Sequence, residues 1–80
     1  MQISILAFGI ARDILGTSTF DMEIKDGQTV AEIVDELKSK YAAFNKLNSV
    51  LLAVNEDYVD DDYIVQQGDE LAIIPPVSGG

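Results

Sequence analysis

The sequence predicts an α+β domain in which a mixed β-sheet packs against one main helix. Three observations point there. One apolar stripe of helical period, Val30, Ile33, Val34, Leu37 and Tyr41, stands near the middle of the chain. Strand-like stretches flank it on both sides, each bounded by Gly, Asn, Asp or Pro. With 80 residues in all, the chain has room for one modest core, because a domain this short buries a little over about 60% of its unfolded surface.

Taken in order, residues 2–8, QISILAF, are rich in β-branched and aromatic types and read as a strand ended by Gly9. The apolar run is partly continuous, which predicts a central, well-buried strand. Residues 11–15, ARDIL, allow a short helical turn that stops at Gly16. Residues 18–24, STFDMEI, alternate, with Phe20, Met22 and Ile24 on one face and Thr19, Asp21 and Glu23 on the other: a half-exposed strand. Lys25-Asp26-Gly27-Gln28 is a turn. Thr29-Val30-Ala31-Glu32 then fits a capping box, in which hydroxyl and carboxylate satisfy orphan amides at a helix start. Asp35, Glu36, Lys38 and Lys40 lie off the stripe of that helix. Residues 50–54 form a short buried strand, Asn55-Glu56-Asp57 a turn, and Tyr58-Val59 a brief returning strand. Asp60-Asp61-Asp62 is an acidic loop and Gln67-Gly68-Asp69-Glu70 another turn. Leu71 to Ile74 make the last strand, which Pro75-Pro76 ends because proline cannot donate to a ladder. The order is β, β, α, β, β, β. The helix must cover one sheet face, since its single stripe needs a partner. The domain is therefore expected over residues 1–74 and an extended tail over residues 75–80.

Composition narrows the function. Fourteen acids against five bases give a net charge of −9, a surface that phosphate backbones repel, so neither nucleic acid nor an anionic membrane is expected as a partner. There is no Cys and no His. Disulfides, thiolate metal sites, a cysteine nucleophile and the commonest general base are all absent. The opening MQISILAFGIARD lacks the basic start of a signal peptide, and no apolar run nears the ~20 residues of a spanning helix. A cytoplasmic location is expected.

Self-sufficient catalysis finds no footing. Serines are present, but no His activates them and no Lys-assisted motif occurs. The run Asp60-Asp61-Asp62 lacks the spaced ligands and internal Gly of a calcium loop, so no metal is expected. Arg12 lies between Gly9 and Gly16 without the pattern of a phosphate-binding loop, and reads as a surface or partner contact.

The remaining candidate is the tail, Pro75-Pro76-Val77-Ser78-Gly79-Gly80. Two prolines stiffen its base into an extended path. Six extended residues reach at most about 20 Å. Gly79 and Gly80 carry no side chain to block a narrow channel and accept any backbone dihedral. Such a tail can thread its terminal carboxylate into another protein. An ionised carboxylate resists nucleophiles until it is made an acyl adenylate, whose AMP is a good leaving group. Sulfide from a donor can then replace AMP and leave a thiocarboxylate. In a chain without Cys, the terminus is the one place that can carry transferable sulfur covalently.

Three stretches resemble the small subunit of molybdopterin synthase, a ubiquitin-like sulfur carrier family: ILAFGIARDILG (5–16), LLAVNEDYV (51–59) and above all GDELAIIPPVSGG (68–80). Their spacing matches too, so the resemblance covers essentially the whole chain. It implies a ubiquitin-like β-grasp fold. It implies adenylation of Gly80 by a ubiquitin-activating-like adenylyltransferase that uses ATP, with no cofactor bound by this chain itself, and sulfur from a separate donor enzyme. It further implies insertion of the tail into the large synthase subunit, in a two-plus-two assembly. There the thiocarboxylate gives its sulfur to cyclic pyranopterin monophosphate, building the dithiolene of molybdopterin. The family docks through apolar surface near the tail, and Phe8, Tyr58 and Ile74 occupy the matching positions. Tyr58 and Ile74 depart from the commoner residue types there while keeping apolar character, and Ile74 reads equally as core. The readings of other classes are a sulfur carrier for thiamine or tRNA thiolation, a ubiquitin-like modifier joined to target lysines through Gly80, and a binding module with an inert tail. The double proline and the longer chain disfavour the thiamine carrier.

Overall fold

A computed structural model describes residues 1–46 and 50–75. Two strands open the chain, β1 (Gln2–Ala7) and β2 (Thr19–Glu23), with a helix, α1 (Gly9–Leu15), between them. The main helix α2 (Val30–Lys40) follows, then a 3-10 turn (Ala42–Lys46) and strands β3 (Leu51–Val54), β4 (Asp57–Tyr58) and β5 (Glu70–Ile74). The five strands form one mixed sheet in the order β2-β1-β5-β3-β4. β1 and β5 run parallel, while β1–β2, β3–β5 and β3–β4 are antiparallel.

The predicted order of strands and main helix is present. The helix start forms as its sequence requires: Glu32 N–H donates to Thr29 Oγ1 at 3.3 Å, and Thr29 N–H donates to Glu32 Oε1 at 2.9 Å. Val30, Ile33 and Leu37 are buried against the sheet, with Val34 and Tyr41 packed at the margin of the core. Ile3, Ile5 and Ala7 of β1, Met22 of β2, Leu52 and Val54 of β3, and Leu71 and Ile73 of β5 complete one cluster, which Ala11 and Leu15 of α1 join.

Two local readings change. β1 lies inside the sheet, but its residues alternate strictly, with Ile3, Ile5 and Ala7 inward and Gln2, Ser4 and Leu6 outward. The continuous run QISILAF therefore reflects an outer face that is itself apolar at one end, and the strand is covered on one side only. The short turn after it is a two-turn helix that begins at Gly9 and closes on Gly16, whose αL backbone (φ 77°) donates its N–H to the Arg12 carbonyl. The segment after α2 also gains an element. Phe44 in the 3-10 turn is 3% exposed and meets Tyr41 edge-on, with ring centroids 6.4 Å apart.

Candidate functional site

The outer face of the sheet is built from the alternate residues that the core does not use. Strand register sets them in rows. One row crosses all five strands: Thr19, Leu6, Ala72, Ala53 and Tyr58 are successive cross-strand partners. The two central alanines are short, so the row dips in the middle and rises at Leu6 and Tyr58. One step towards the end of the chain, Ile74 pairs with Leu51, and Phe8 extends β1 beside them, its N–H donating to the Ile73 carbonyl. Together Leu6, Phe8, Ala53, Tyr58, Ala72 and Ile74, with Glu56 and Glu70 at the rim, line an open hollow of about 300 Å³.

None of these apolar side chains belongs to the core cluster. Phe8 is 49% exposed, Leu51 53% and Tyr58 71%. Large apolar groups this open on a small domain, gathered in one place, are the kind of patch that makes a candidate contact surface. Ile74, which the sequence leaves divided between core and contact, is half-buried and faces outward with Phe8 and Tyr58.

A second hollow of about 390 Å³ lies on the other side of the same ridge, lined by Leu6, Ala7, Phe8, Gly9, Arg12, Ser18 and Thr19. Arg12 thus stands beside Phe8, displayed by the first turns of α1. Pro75 is next to this point as well: a Cβ placed on Gly9 would meet Pro75 Cγ at 4.0 Å. Because β1 and β5 are parallel neighbours, Phe8 and Pro75 leave the sheet at the same edge. The base of the tail therefore adjoins the apolar hollow. Pro76, Val77, Ser78, Gly79 and Gly80, the rest of the site expected from sequence, lie outside the described residues.

The rim is held by a polar clasp that the sequence does not signal. Asp69 is 8% exposed. Its carboxylate accepts from Asn55 Nδ2 at 2.9 Å and from the Gln66 N–H at 2.8 Å, while Asn55 Oδ1 accepts from the Glu70 N–H at 3.1 Å. The β3–β4 turn is thereby tied to the start of β5, fixing the backbone on which Glu56 and Glu70 stand. Sequence reasoning identifies Phe8, Tyr58, Ile74 and Arg12 but passes over Leu6, Ala72, Ala53, Glu56 and Glu70. The signal for Leu6 and Ala72 is present, since each stands two residues before a chosen one, on the same strand face. Asp60, Asp61 and Asp62 are exposed and none of them lines this hollow; Asp61 borders a separate one with Val34, Asp35 and Lys38 of α2. Among the described residues, no three acidic side chains are grouped to hold a metal ion, and no helix is long and apolar enough to cross a membrane.

Comparison with known proteins adds the family context. The ThiS family profile matches residues 5–80. The molybdopterin synthase sulfur carrier subunit of Arabidopsis thaliana is 42% identical, over 100% of this chain and 84% of its own. Among solved structures, SAMP1 from Haloferax volcanii superposes with a TM-score of 0.86 at 22% identity, covering 100% of both chains, which shows a ubiquitin-like β-grasp fold. A chain in the protein–protein complex of subunits 1 and 2 of molybdopterin-converting factor from Helicobacter pylori 26695 matches with a TM-score of 0.71 at 25% identity, again over 100% of both chains.

Proposed function

The chain belongs to the ThiS family, and we propose that it is the sulfur carrier subunit of a molybdopterin synthase, working through its own C-terminus. The observation that carries this reading is the coincidence of a full-length match to sulfur carrier subunits with an apolar hollow at the base of the Gly-Gly tail. The domain docks and the tail reaches. From Pro75 the five remaining residues span at most about 17 Å when extended, enough to enter a partner's active site from a surface-docked body.

The chemistry at Gly80 runs in three steps. A carboxylate oxygen attacks the α-phosphorus of ATP on a ubiquitin-activating-like enzyme, and pyrophosphate leaves. Sulfide delivered by a donor enzyme attacks the acyl carbon, its C–S bond replacing the C–O bond to phosphate, and AMP departs to leave a thiocarboxylate. In the large synthase subunit the thiocarboxylate sulfur bonds to a carbon of cyclic pyranopterin monophosphate and displaces an oxygen substituent there, water cleaves the acyl–sulfur bond to restore the carboxylate, and a second charged chain supplies the other sulfur of the dithiolene. This chain supplies position and the acyl group. The large subunit, the adenylyltransferase and the ATP that it consumes supply the rest, in the cytoplasm. Docking rests on Phe8, Tyr58 and Ile74, together with Arg12 and the tail residues Pro75, Pro76, Val77 and Ser78, and the large subunit is the partner suggested by the match to a chain of the subunit 1–subunit 2 complex.

The test is the intact mass of protein purified from its own cells. One oxygen should be exchanged for one sulfur, located on the last peptide. A terminus found only as free carboxylate or in isopeptide linkage to lysines, in cells actively making molybdopterin, would overturn the reading.

A further inference from the structure

Row by row, the outer sheet face changes character along the strands. Nearest the tail base stand Phe8, Ile74 and Leu51; next comes the apolar row Leu6, Ala72, Ala53 and Tyr58. One step further, Asp21, Ser4 and Glu70 are cross-strand partners, and beyond them Gln2 pairs with Glu23. Glu56 joins the carboxylates at the rim of the apolar hollow. Rows are about 7 Å apart, two residues at ~3.3 Å each. Across the ridge on the tail side the charge is reversed: Arg12 lines the second hollow with the hydroxyl-bearing Ser18 and Thr19.

We propose that this polarity orients the docked domain. The occupant of the apolar hollow is a protein surface with an apolar boss, Lys or Arg about 7 Å from it on the side away from the tail, and a carboxylate on the tail side that meets Arg12. Two independent features argue for it. The hollow is apolar at its floor and acidic at one rim only, so an apolar boss with the basic groups on its other flank would place like charges together, which costs several kcal/mol. And the face is continuous with the base of the tail at Gly9 and Pro75, so rotation about the boss would swing the tail away from its target. A round apolar contact alone leaves that rotation open. The two signs of charge close it. On the reading above, the occupant is the large synthase subunit, and this inference rests on that reading.

The experiment measures association of the full-length chain with the large subunit by stopped-flow fluorescence over a range of salt concentrations. Wild type, the double reversal Glu56→Lys with Glu70→Lys, and Arg12→Glu are compared after circular dichroism establishes folding. Glu70→Gln serves as a milder second probe, since the bond at that position is made by its backbone N–H. Reversing rim charges should lower kon about 10-fold or more at low salt and flatten its salt dependence, with koff changed far less. Sulfur transfer within the complex should fall as well, because a rotated domain misplaces Gly80. Variants that bind with wild-type rate and salt slope, while wild type binds well, would overturn this inference alone. A wild-type chain that does not bind the large subunit at all would overturn the sulfur-carrier reading and this inference with it.

Discussion

The two faces of the sheet are made from alternate residues of the same strands, yet they serve opposite ends. On the inner face Ile3, Ile5, Leu71 and Ile73 are at most 2% exposed beneath α2. On the outer face Phe8, Tyr58 and Leu51 are about half exposed or more, and Pro75 lies close by, next to Gly9. Apolar area that is already buried stabilises the fold. Apolar area left in water stabilises nothing until a partner covers it. The difference teaches that stability and activity should separate by strand parity in this molecule, and that the separation can be measured.

The sharpest break is at the inner face. Ile33 of α2 is fully buried among the core strands. Ile33→Ala removes packed methyl groups and leaves a cavity, so a loss of about 2–5 kcal/mol is expected. For a domain of this size that lowers Tm by at least about 8 °C, at ~4–8 °C per kcal/mol. The fraction that remains folded should bind the large subunit as wild type does. Calorimetry and titration of the same sample decide it, and weakened affinity in the folded fraction would erase the distinction between the faces.

The tail gives the opposite result. Gly79→Val puts a β-branched side chain into the channel that must admit the end, and deletion of Gly80 retracts the reactive carboxylate by about 3.5 Å. Misplacement of even ~1 Å can cost about 100-fold in rate. Either change should nearly abolish molybdopterin formation with the activating enzyme and large subunit supplied, at unchanged Tm. Normal product formation by the Gly80-deleted chain would sink the sulfur-carrier mechanism.

Phe8 tests the outer face itself. Phe8→Ala should weaken binding by about 2 kcal/mol, as anchoring aromatics do, while Tm moves by no more than a few degrees. A large fall in Tm with unchanged affinity would return Phe8 to the core.

How much of this was open to sequence reading depends on the range of the interactions. The α2 capping box is a four-residue pattern, and β2 carries its alternation in five residues, so both are legible locally. Phe8 and Tyr58 are legible as surface candidates through family resemblance, and Arg12 through the lack of any phosphate-loop pattern around it. The pairing of β5 with β1 joins residues 66 positions apart, and no local pattern encodes it. That pairing is what brings Ala72 beside Leu6 and turns separate outward residues into one hollow. The Asp69–Asn55 clasp is hidden for the same reason: each residue alone is an ordinary turn former, and only the register makes them partners. Phe44 carries no sequence signal because a 3-10 turn has too short a period to announce its buried side.

The smallest effect probes the one place where the two faces conflict. Asn55 and Glu56 form the two-residue loop between β3 and β4, and both have positive φ, 51° and 76°. A tight hairpin of this kind favours Asn-Gly, because both positions must be left-handed. Asn tolerates it. Glu bears the Cβ–carbonyl crowding of that region, about 1–2 kcal/mol, against which Gly would lose about 0.5–1 kcal/mol through unfolded-chain entropy. Glu56→Gly should therefore raise stability by roughly 0.5 kcal/mol, a Tm increase of about 2–4 °C. The same change removes a carboxylate from the docking rim and should slow association with the large subunit. Stability up and association down, in one variant, would show that a strained turn residue is kept for binding. A Glu56→Gly chain that melts lower than wild type would mean that the Glu56 side chain supports the fold, and the outer rim could no longer be separated from it.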